Sequence, residues 1–146
     1  MQLLALAASA LAFASAVVAQ PEAVRFGVVN VSPTTVKLSE NFTIHYNSTF
    51  ADLAGHSPIY LDFHIQGINA NGFVQPEYLI ARTTYPTNGT KNVWLTTAVP
   101  YNELVANASY LVWADIWYNQ SYVKPGFLES GGTSAAINLI DDSESS

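Results

Sequence analysis

Tyr110-Leu111-Val112-Trp113-Ala114-Asp115-Ile116-Trp117-Tyr118 alternates its side chains with a period of two. Tyr110, Val112, Ala114 and Ile116 make one apolar set, and Trp113, Asp115 and Trp117 fall on the opposite side. Successive side chains of a strand point to opposite faces, so the stretch predicts a strand buried on one face and open on the other. The same period runs outward through the chain. Phe42-Thr43-Ile44-His45-Tyr46 sends Phe42, Ile44 and Tyr46 inward. Ile59 to Ile65 sends Leu61, Phe63 and Ile65 inward, and Val93 to Val99 sends Val93, Leu95 and Thr97 inward. Other strands are read at Val24 to Val31, resuming at Thr35 to Leu38, at Tyr78 to Thr84 and at Ser134 to Ile140. Pro33 interrupts the first, as at an edge strand or one that switches sheets. Asn69-Ala70-Asn71-Gly72, Asn88-Gly89 and Gly131-Gly132 read as turns. No stretch sustains a helical period. Seven strands joined by turns predict an all-β, seven-stranded antiparallel sandwich over residues 20–140.

Leu3 to Ala19 is almost wholly apolar and ends in small residues, the pattern of a secretory signal peptide over residues 1–19. Asn-x-Ser/Thr triplets begin at Asn30, Asn41, Asn47, Asn88, Asn107 and Asn119, each an acceptor for N-linked glycan in a secreted chain. Together they predict a secreted, extracellular glycoprotein. A mature chain of about 127 residues is one domain by length and large enough to bury a core without covalent staples. The chain has no cysteine, which excludes a disulfide framework, a thiol nucleophile and a thiolate metal site. The net charge is −6, and Arg25, Lys37, Arg82, Lys91 and Lys124 are scattered. Nucleic acid and anionic membranes are therefore not expected partners. Residues 141–146 form an acidic, polar tail read as disordered, without the apolar stretch that a lipid anchor of the GPI type requires.

Two motifs resemble the fibronectin type III and immunoglobulin-like superfold. Phe42-x-Ile44-x-Tyr46 is similar to its strand B. Leu104-Val105-Ala106-Asn107-Ala108-Ser109-Tyr110 is similar to its tyrosine corner, with Leu six residues before Tyr. Tyr46 stands where the family has Trp, the corner loop lacks its Pro, and there is no Cys pair. The composition also resembles that of small secreted proteins of fungal type.

The resemblance implies that the strands carrying Ile59–Ile65 and Tyr110–Tyr118 are neighbours. Trp113, Asp115 and Trp117 would then share an outward face with Tyr60, Asp62 and His64. Flat aromatic rings beside hydrogen-bonding groups suit a sugar ring or a protein hot spot. This face is the expected ligand site, with polysaccharide or a cell-surface protein as partner. The function expected is a non-catalytic, glycan-binding or surface-interaction module. The alternative is a structural or self-associating protein that uses the face in a homodimer. His45 and His64 should lie on opposite sides of the domain, so no metal site is expected, and no cofactor. Asp62, Asp115, Glu77 and Glu103 are the carboxylates available for acid–base chemistry. A flat sheet face lacks an enclosing cleft, so catalysis is not expected.

Overall fold

A computed structural model describes residues 21–67, 74–99, 104–106, 108–120 and 126–142. The signal stretch, the turn at 69–72, Glu103, Lys124, the acceptor Asn107 and tail residues 143–146 lie outside the described residues. The protein is all-β, with two sheets around one core. Strands β1 (Val28–Ser32), β3 (Asn41–Asn47) and β6 (Asn92–Ala98) form one sheet in the order β1-β3-β6. The other contains β2 (Thr35–Lys37), β4 (Pro58–Gly67), β5 (Tyr78–Thr84), β7 (Ala108–Asn119) and β8 (Leu128–Ile140). Its order is β2-β8-β7-β4-β5.

The described residues thus hold eight strands rather than seven, and they are not all antiparallel. The segment broken by Pro33 becomes two strands, β1 in the smaller sheet and β2 in the larger. β2 pairs parallel with β8, Thr35 opposite Asn138 and Lys37 opposite Ile140. Two short helices interrupt the strands: α1 (Pro21–Phe26) and α2 (Thr49–Leu53). The expected strand at Val24 is therefore the end of a helix. Pro21 at its first position, Glu22 in its first turn and Arg25 in its last suit the helix dipole. Gly27 ends it at φ +91°, where a side chain would be strained, and its N–H bonds to the Ala23 carbonyl. Gly131-Gly132, read as a turn, lies inside the 13-residue strand β8, which pairs along the full length of β7.

The period-two reading of the inward faces agrees with the burial. Phe42, Ile44 and Tyr46 of β3, Leu61, Phe63 and Ile65 of β4, and Tyr110, Val112, Ala114 and Ile116 of β7 are buried together. Tyr46 satisfies its hydroxyl by donating to the Phe26 carbonyl at 2.8 Å. The Tyr110 hydroxyl accepts from the Val105 N–H at 2.9 Å, which anchors the entry to β7. These pairings hold β4 and β7 side by side at the centre of the larger sheet, with β5 and β8 flanking them.

Candidate functional site

The outward side chains of the larger sheet meet in register. In one row, Arg82 of β5 stands opposite Asp62 of β4, Asp62 opposite Asp115 of β7, and Asp115 opposite Gly132 of β8. On one side of that row Tyr60 faces Trp117, and on the other His64 faces Trp113. All six residues expected at the ligand face therefore share it. The sequence reading missed Arg82 and Gly132, which belong to it as well.

Asp62 is 3% exposed although it points outward, because the flanking strands wall it in. Arg82 grips it bidentately, Nε to Oδ1 and Nη2 to Oδ2, both at 2.6 Å. Trp117 Nε1 adds a third donor to Oδ2 at 3.0 Å. The Arg82 hydrogen bonds, followed by that of Trp117, hold the Asp62 carboxyl below the usual aspartate range. A charge-assisted fork of this kind is a strong protein hydrogen bond, and it leaves Asp62 ionised and fixed.

Asp115 differs. Burial pushes its carboxyl above the usual range; His64 works against the shift, while Glu77 and Asp62 add to it. His64 Nδ1 lies 3.0 Å from Asp115 Oδ2, within ion-pair distance. Trp113 Nε1 is buried without a hydrogen-bond partner among the described residues. The Trp113 N–H is thus unspent, a state that buried groups seldom keep without a reason.

β8 makes room for this arrangement. A side chain at Gly132 would collide with Asp115 Oδ1 and press on the Trp113 ring. Ser130, Gly132 and Ser134, opposite Trp117, Asp115 and Trp113, form a low floor that leaves both tryptophans half-buried on the outside of the sheet. Tyr60, Arg82, Trp117 and Leu128 line a shallow hollow of about 250 Å³ one residue pair away from Asp115. Among the described residues, no group of three or more His, Asp or Glu side chains could hold a metal ion. His45 lies on the outside of the smaller sheet, and His56 packs against Phe26 and Tyr118.

No protein-family model and no curated protein matches the chain. Among solved structures, the fold is similar to a superoxide reductase (neelaredoxin) from Ignicoccus hospitalis. That likeness has 14% identity and a TM-score of 0.44, and covers 77% of this chain and 80% of that one. Two substituted forms of the same protein match at 15% and 13% identity, with TM-scores of 0.43 and 0.41. They cover 77% and 81% of this chain, and 79% and 83% of theirs. These neighbours are superoxide reductases and not fibronectin type III or immunoglobulin-like domains, which corrects the resemblance read from Phe42–Tyr46 and Leu104–Tyr110. Where a non-catalytic glycan-binding module, its self-associating alternative and no enzyme were expected, the neighbours are titled as an enzyme.

Proposed function

We propose that the outer face of β4 and β7 is a catalytic face that moves a proton on a small cyclic acid. The observation that carries this reading is the single cross-strand pair Asp62–Asp115, whose two carboxyls are drawn in opposite directions by their surroundings. Adjacent titratable groups pushed apart in this way divide the acid and base roles between them. Asp115, buried beside His64, takes and returns the proton. Asp62, fixed by Arg82 and Trp117, stays ionised and positions them both. The substrate's ring lies on Trp117 and Tyr60 in the hollow, with its acidic group toward Arg82. The chain is further proposed to be secreted, on the strength of its apolar leader and its glycan acceptors.

The test joins a titration to turnover. NMR of side-chain carboxyls should show Asp115 titrating above the other aspartates and Asp62 below them. Asp115→Asn should then lower the turnover of uronic and aromatic acids by about 100-fold or more, the range for a lost general acid–base group. Asp115 titrating with ordinary aspartates would sink the proposal, as would turnover that survives the substitution.

A further inference from the structure

Three of the six glycan acceptors stand on one face: Asn30, Asn41 and Asn47 all point outward from the smaller sheet. The same face bears Trp94, the most exposed aromatic side chain among the described residues at 67%. Its ring stacks on His45, directly opposite on β3, with centroids 3.9 Å apart and planes 17° from parallel. Asn92 ties this stack to Asn47. Its Oδ1 accepts from His45 Nε2 at 2.7 Å and from Asn47 Nδ2 at 2.9 Å. Asn47 Oδ1 in turn accepts from the Thr49 N–H at 2.9 Å. The Asn47-Ser48-Thr49 acceptor is thus held one residue pair along the sheet from the indole, a diagonal of about 7 Å.

We infer that Asn47 carries an N-linked oligosaccharide whose first sugars lie on the Trp94–His45 stack. The inference is independent of the acid–base reading of the opposite face. In the modification, Asn47 Nδ2 bonds to the anomeric carbon of a lipid-linked oligosaccharide. The bond from that carbon to the lipid pyrophosphate breaks and the pyrophosphate leaves. Nδ2 gives up one proton and keeps the other, and Oδ1 still accepts from Thr49. The faces of N-acetylated sugars carry C–H groups that pack well on an indole, and the polarised rings of an aromatic pair suit them. A flat ring left two-thirds open on a neutral face has a partner of matching chemistry one acceptor away.

The test uses the full chain made in a eukaryotic secretory host, with glycopeptide mass spectrometry and thermal melts. Asn47 should be occupied. Thr49→Ala, which removes the acceptor and leaves the Asn47 side chain in place, should lower Tm by about 3 °C in the Trp94 protein. It should lower it no further in Trp94→Ala. The acetyl methyl of the first sugar should show a through-space contact to the Trp94 indole by NMR. An unoccupied Asn47 would overturn the inference, and so would equal losses of Tm in the two backgrounds.

Discussion

On the outer face of β4 and β7, with Arg82 reaching in from β5, Asp62 and Asp115 stand between the His64–Trp113 row and the Tyr60–Trp117 row. On the outer face of β3 and β6 stand Asn47, Asn92, Thr43, Thr96 and His45, with Trp94 and no carboxylate. Both faces come from the same alternation, and both put tryptophan beside histidine. The difference lies in the width of the sheet. β4 and β7 have neighbours on both sides, and the small residues of β8 let tryptophan lie low across them, so even an outward aspartate is desolvated. β3 has only two edge strands for neighbours, and its outward groups remain in water. Burial raises the Asp115 carboxyl while the Arg82 hydrogen bonds lower that of Asp62, so the wide face can divide roles between like carboxyls, whereas the narrow one holds neutral hydrogen bonds.

The Asp62 clamp is the sharpest point of contrast. Arg82→Met would leave a buried carboxylate held by the Trp117 N–H. Removing one partner of a buried pair costs 3–5 kcal/mol. Arg82 itself is largely exposed, so water can reach Asp62 once the guanidinium is gone, and we expect about 2 kcal/mol, or ~6 °C in Tm. Denaturant melts of the two proteins measure it. A loss below ~0.5 kcal/mol would mean that the clamp is an ordinary surface pair and that the wide face does not desolvate its charges.

The pH profile separates the two carboxyls by sign. Asp62 has a lowered folded pKa, so its contribution to stability is present above the unfolded value of about 3.9 and is lost as pH falls through the folded one. Asp115 has a raised folded pKa. Relative to the unfolded chain it favours folding below about 3.9, and that contribution is lost as pH rises through the raised value, which leaves a cost at neutral pH. Asp115→Asn should therefore melt higher than the parent at pH 7 and show no such gain at pH 4. Asp62→Asn should flatten the loss of stability below pH 4. Profiles that are parallel for all three proteins would erase the distinction between the carboxyls.

Much of this face was legible in the sequence because each strand buries one side, and period-two alternation then assigns every side chain to a face. Trp113, Asp115, Trp117, Tyr60, Asp62 and His64 come together for that reason. Arg82 was not legible. It sits on β5, where a bulge opposite Phe63 and His64 breaks the alternation, and nothing local announces which strand β5 joins. Gly132 was misread because Gly-Gly has the composition of a turn, while its reason here is the approach of Asp115 from the neighbouring strand. The helix α1 carried a local signal in Pro21 and Glu22, but its six residues are too few for a period to emerge. The Tyr110 corner shows the limit of a motif: one hydroxyl bonded to Val105 fixes a chain entry, and many β proteins need such an entry, so it does not name a family.

The smallest expected effect tests the narrow face. Asn92→Ala removes an acceptor shared by His45 Nε2 and Asn47 Nδ2. Both donors are solvent-exposed, so water replaces the lost oxygen and neither is left buried and unpaired. A neutral hydrogen bond is worth about 1 kcal/mol net, and exposed ones less. We expect a loss of about 0.5 kcal/mol in a urea melt, with the acid limb of the pH profile unchanged. A loss as large as that of Arg82→Met would show the three-stranded sheet to be as desolvated as the five-stranded one. Sheet width would then not explain why the carboxylates gather on one face.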